Sequence, residues 1–206
     1  MSTARQILTL ALCISFGISK CRAQRMDASG KQAASTQSSP HPWCTADRSP
    51  SPMVLTAAGL GPVHPGMSKA DLRRVCPGLR DTTWEGAEGI PQSATILRLG
   101  GKDVGLLEWY GDDSVLSRML IDVRFIRTTD SLGVGTTVGQ LRERLGELRA
   151  GYDDAGVYVW SDREERFSYL LKVRVTRLVK VPDEIAEHVE LIPNEVQVRT
   201  LIFVGR

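Results

Sequence analysis

Two pairs of adjacent carboxylates, Asp112 with Asp113 in "YGDDS" and Asp153 with Asp154 in "YDDAG", are where acid–base hydrolysis would have to start. A hydrolytic dyad needs both carboxyl groups on one bond, whereas neighbours in sequence tend to diverge. Both pairs also adjoin glycine between periodic segments, where turn formation alone requires Asp and Gly. No catalytic residue is therefore assigned. The histidines, His41, His64 and His188, are scattered along the chain, so neither a metal nor another cofactor is expected. The sequence carries no phosphate loop, no nucleophile elbow and no cysteine beside a base. Residues suited to recognition are better represented. Trp109 and Tyr110 close one predicted strand, Tyr158 and Trp160 lie on another, and Arg124, Lys172, Arg174 and Arg199 take the polar phase of three strands. Trp, Tyr and Arg concentrate binding energy at protein interfaces. These eight residues form the candidate protein-binding set. The alternative is that one aromatic of each pair packs in the core while the basic side chains stay solvated.

The compartment follows from the first residues. Arg5 precedes an apolar run, Ile7 to Ile18, too short to span a bilayer, and "CRA" offers small residues for cleavage after Ala23. Residues 1–23 are read as a signal peptide. Acylation of Cys21 is the competing reading, opposed by Lys20 directly before it. Removing residues 1–23 takes away Arg5, Lys20 and Arg22 and no acid, which moves the formal charge from +2 to −1. A nucleic-acid partner thereby loses its electrostatic support. Of four cysteines, Cys44 and Cys76 remain, and in an oxidising compartment one pair is most simply a disulfide. A buried Cys76 and a free Cys44 is the other arrangement. Residues 24–52, rich in Ser, Ala, Gln and Pro, cannot offset their ordering entropy and are read as a disordered spacer.

Positioning elements are legible further on. At an offset of sixty-nine residues, Gly66, Ser68, Leu72, Arg73, Leu79 and Arg80 match Gly135, Thr137, Leu141, Arg142, Leu148 and Arg149. Ser68 and Thr137 read as N-caps, each with Asp71 or Gln140 three residues on. Apolar residues behind each cap share one helical face, leaving Arg73 and Arg142 solvated. The period then switches to two. "SATILRL" and "VGLLEWY" flank the turn "GGKD", a long strand runs through Met119, Ile121, Val123 and Phe125, and "GVYVW", "RFSYLLKVRV" and "EVQVRTLIFVG" follow. "VPDEIAEHV" is read as a helical turn begun by Pro182. The expected class is α+β: a capped helix followed by three antiparallel strands, twice, over 53–130 and 131–206, with helices on one sheet face.

A Gly-[Met/Thr]-[Ser/Thr] turn into a short helix, then antiparallel strands, twice in an exported chain, resembles the beta-lactamase inhibitory protein fold. It is also similar to the single unit of the SmpA/OmlA outer-membrane assembly lipoproteins. "GPVHPGMSKADLRRVCPGL" carries the likeness best. The resemblance implies a non-enzymatic module that grips another protein. It departs in having one mature cysteine pair and no lipobox. The functional expectation is an exported protein-binding module, inhibitor-like or envelope assembly-like, acting through its sheet surface on another exported or envelope protein. A small extracytoplasmic enzyme or ligand-binding protein with a pocket between the repeats is the alternative. No transmembrane segment is expected in the mature chain.

Overall fold

Each capped turn leads into a short helix. Ser68, in extended conformation, accepts from the Asp71 amide at 3.1 Å and donates to Asp71 Oδ2 at 2.7 Å, opening α1 (Lys69–Val75). Thr137 opens α2 (Val138–Leu145) with a reciprocal capping box, its oxygen accepting from Gln140 N and its amide donating to Gln140 Oε1. These contacts satisfy amides that a helix start leaves without intrahelical partners. The computed structural model describes residues 44, 52–85, 90–111, 115–173 and 188–205. All belong to one unit, Gln37–Arg206. The signal segment, nearly all of the spacer, His41, Asp112, Asp113, Arg174 and most of "VPDEIAEHV" lie outside the described residues.

The helices are minor components of a mainly β structure. β3 (Arg80–Glu85), β4 (Pro91–Leu99), β5 (Lys102–Tyr110), β6 (Val115–Ile121), β8 (Arg149–Asp153), β9 (Gly156–Trp160), β10 (Phe167–Leu171) and β11 (Val198–Val204) form one antiparallel sheet. Their order is β3-β4-β5-β6-β11-β10-β9-β8. A second sheet joins β1 (Met53–Thr56) antiparallel to β2 (Gly59–Leu60) and parallel to β7 (Ile126–Thr128).

This overturns the α+β expectation of a tandem helix-plus-strands duplication. The main sheet is a single continuous body of eight strands, joined through β6 and β11 across the expected boundary at residue 130. Edge strands β3 and β8 had no place in the three-strand reading, and the second sheet, with its parallel pair, lies wholly within 53–130 and has no counterpart among the described residues of 131–206. The recurring phrase is explained locally: two similar caps enter two short helices.

Both helices cover one face of the main sheet. Phe167, Phe203, Met119 and Leu107 stand opposite one another across β10, β11, β6 and β5, and Tyr169, Leu201 and Ile121 form the next row. All are buried, as are Leu72 of α1 and Val138, Leu141 and Leu145 of α2. Arg142 is not the solvated residue of the sequence reading. Its guanidinium donates to the Val189 carbonyl at 2.8 Å and the Ile192 carbonyl at 3.2 Å, and also meets Asn194 Oδ1, tying α2 to the 3-10 turn Val189–Leu191.

The Cys44 and Cys76 sulfurs stand at disulfide distance, with Cα atoms 5.1 Å apart across 32 residues of sequence. Cys76 is the C-cap of α1 and is fully buried, so the pair fastens the spacer's end to the core. Closing a loop of this length removes unfolded-state entropy equivalent to roughly 3–4 kcal/mol. Denaturant unfolding of the oxidised chain against a Cys44→Ser, Cys76→Ala variant is expected to show a loss of that order.

Candidate functional site

The sheet face away from the helices carries the candidate site. Leu106, Leu120 and Ile202 lie directly opposite one another on β5, β6 and β11. With Leu170 of β10 they floor a groove of about 950 Å³. Its walls include Trp84 and Glu85 of β3, Arg118 of β6, Asp122, Arg199 of β11, and Asp153 to Ala155 of the β8–β9 turn. Edge strands β3 and β8 are seven strand steps apart, which in a flat sheet would separate them by roughly 34 Å. One groove touched by β3 and by the β8–β9 turn therefore requires the sheet to curl around this face.

Local devices aim the wall residues. Leu170 pairs with Thr200 but Leu171 pairs with Val198, so Arg199 is the extra residue of a bulge in β11. A bulge re-aims a side chain, and Arg199 reaches the β8–β9 turn, donating to the Ala155 carbonyl at 3.2 Å. Asp122 accepts from Thr200 Oγ1 at 2.7 Å, which fixes its carboxylate at the same end. Asp153 Oδ1 accepts from Ala155 N at 2.9 Å, an Asx turn that shapes the rim. On the neighbouring part of this face, Tyr158 stacks on Trp160 with ring centroids 5.6 Å apart. Gly151, directly opposite Tyr158, leaves space for that ring: a Cβ there would come within 2.7 Å of it.

Beside the floor, Glu108 and Arg118 face each other across β5 and β6, and Arg118 Nε donates to Glu108 Oε2. The Glu108 side chain is only 3% exposed. Burial pushes its carboxyl above the usual range, with Arg118 opposing the shift. Glu108 Oε1 and Trp84 Nε1 are buried without a hydrogen-bond partner among the described residues.

The seven sequence-derived binding residues that the structure describes do not converge. Tyr158, Trp160 and Arg199 share the groove face, Arg199 within the groove wall. Trp109 belongs under α1: its Nε1 donates to Thr95 Oγ1 at 2.9 Å, and Lys69 Nζ lies 5.5 Å from its ring centroid. Thr95 in turn donates to Asp81, whose carboxyl this hydroxyl, aided by Lys69 and Arg73, holds below the usual range. Tyr110 is exposed at the end of β5, Arg124 lies beside Gly135, Lys172 is exposed past β10, and Arg174 is outside the described residues. Trp84, Arg118, Asp122 and the apolar floor were missed. Their signal was Leu106, Leu120 and Ile202, aliphatic residues in the phase that alternation assigns to solvent. Asp153 and Asp154 form a turn, and that turn also borders the groove.

On the helix side, Tyr169 Oη donates to Glu164 Oε2 at 2.9 Å. Burial, reinforced by Asp130, raises the Glu164 carboxyl above its ordinary range, and burial together with Glu164 raises the Tyr169 phenol. The folded state thus holds the Glu164 proton more tightly than the unfolded chain does. This contribution to stability is full below the ordinary glutamate value and is lost as pH rises through the raised one. Glu164→Gln, which keeps an acceptor for Tyr169, is expected to flatten that decline in urea unfolding between pH 4 and 7.

Among the described residues, no group of three or more His, Cys, Asp or Glu side chains converges on a metal position, and no helix is long and apolar enough to cross a membrane. Fold and site together define a mainly β protein whose curled antiparallel sheet offers an apolar-floored groove. No family model matches the chain, and no curated protein matches its sequence. Among solved structures it is similar to the uncharacterised protein YfeY from Escherichia coli, with a TM-score of 0.50 and 15% identity, covering 73% of this chain and 99% of that one. That likeness concerns the fold.

Proposed function

We propose that this chain is an exported, non-enzymatic protein-binding module that holds a partner polypeptide in the groove of its main sheet. The observation that carries the reading is the floor of Leu106, Leu120, Leu170 and Ile202 on the face the helices leave uncovered. A sheet packed on one side ordinarily turns polar residues to water on the other. Aliphatic residues bordered by Trp84, Arg118 and Arg199 instead have the composition of an interface centre and rim. Export rests on the residue pattern of positions 1–23, and a cysteine pair at disulfide distance is compatible with it.

The test has two arms. Fractionation and N-terminal sequencing of the native protein are expected to place it outside the cytoplasm, beginning at Gln24. Oxidised residues 24–206 used as bait on that fraction are expected to retain a stoichiometric protein. An Ile202→Glu bait with an unchanged circular dichroism spectrum should release it. Equal capture by both baits would remove the groove from the account, and cytoplasmic residence would remove export.

A further inference from the structure

The charges around the floor narrow the partner's chemistry. Resting on the reading of the groove as a polypeptide-binding face, we infer that the segment it takes presents a lysine or arginine flanked by aliphatic residues. Among the described residues, four carboxylates line the groove, Glu85, Asp122, Asp153 and Asp154, against two guanidiniums, Arg118 and Arg199. Both guanidiniums have partners, Arg118 on Glu108 and Arg199 on the Ala155 carbonyl. By that count the described lining carries net negative charge, and the buried Glu108 offsets the positive charge of Arg118. That carboxylate, 3% exposed, presents one oxygen to Arg118 while its other has no hydrogen-bond partner among the described residues.

Charge of one sign in a low-dielectric cleft focuses its field on an incoming ion of the other sign. The sheet floor suits what surrounds such an ion, since lysine and arginine lay their methylene stems on apolar surface while the head group stays with carboxylates. The groove extends from β3 to the β8–β9 turn across the intervening strands, a trough suited to a chain. Asp122 and Asp153, held by Thr200 and by the amide of Ala155, are the preset partners for the cation.

Three capped octapeptides test this, alternating leucine with lysine, with glutamate or with serine. Each is titrated calorimetrically into oxidised residues 24–206 while the methyl resonances of Leu106, Leu120, Leu170 and Ile202 are followed. The lysine peptide is expected to bind at least tenfold more tightly than the other two and to shift those methyls. Its affinity should fall at least tenfold in an Asp122→Asn, Asp153→Asn variant, in which both amides keep an acceptor for their structural hydrogen bonds and the fold is retained. Raising the salt concentration should weaken it further. Preference for the glutamate peptide, equal affinity for all three at these methyls, or undiminished lysine-peptide binding by the variant would overturn the inference and leave the groove a peptide site. Failure of all three to move these methyls, or self-association filling the groove, would overturn both it and the reading beneath it.

Discussion

Arg118→Leu is expected to lower the folding free energy by about 2–3 kcal/mol at pH 7, less than the cost at a wholly buried pair because the arginine is partly exposed. Its partner explains the size of the effect. Glu108 stands directly opposite Arg118 on β5, nearly inaccessible, with Arg118 offsetting its desolvation. Removing the guanidinium leaves a buried carboxylate uncompensated, which costs more than the pair ever contributed. The pH dependence has a definite sign. Burial already raises the Glu108 carboxyl above its ordinary range, and losing Arg118 raises it further. A folded state that holds a proton more tightly than the unfolded state loses stability as pH rises. The variant's deficit should accordingly be smaller at pH 4 than at pH 7. Adding Glu108→Gln should recover most of it at pH 7, as measured by urea unfolding of the four proteins of the cycle. A deficit independent of pH and unrelieved by Glu108→Gln would mean that Arg118 acts by packing alone.

Gly105→Ala is expected to cost about 3 kcal/mol or more, because the clash is with backbone and no side chain can yield. A Cβ at this position would fall 1.8 Å from the Leu120 carbonyl oxygen and 3.1 Å from the Ile121 Cα. β5 and β6 must separate to admit it, and these are the strands that place Leu106 opposite Leu120 at the centre of the floor. The variant should unfold at lower denaturant and, where still folded, show altered Leu106 and Leu120 methyl resonances. A Gly101→Ala change, at a turn with open space around the position but a φ of +74°, should cost only about 1–2 kcal/mol through local backbone strain and leave those resonances unmoved. Equal effects at the two glycines would argue against close strand approach at Gly105.

The contrast between what the sequence discloses and what it conceals follows from range. Caps are local, so Ser68 and Thr137 could be read from residues three positions away. The β4–β5 hairpin could likewise be read from "GGKD" between two apolar runs. Edge strands left no such trace. "RDTTWE" and "RAGYD" are largely exposed, carry no alternating apolar pattern, and are held by their neighbours β4 and β9. Missing them shortened each half of the sheet and suggested an α+β class where the structure is mainly β. Curvature was equally hidden, since no short-range pattern states that β3 and the β8–β9 turn approach one groove. Trp109 shows the limit of arguing from residue type. Its interface-like character is spent on Thr95 and Lys69 beneath α1, while Leu120, unremarkable as a residue, lies in the groove floor.

A partner seated on the groove floor would be caught by a photo-crosslinking amino acid placed at Leu120 in the producing cells. The same group at Lys102, exposed at the β4–β5 turn, serves as the comparison. With both proteins folded and exported, a discrete crosslinked product is expected from position 120, absent from position 102 and lost when Ile202 is replaced by glutamate. Crosslinks of equal yield from both positions, or none from position 120, would contradict it.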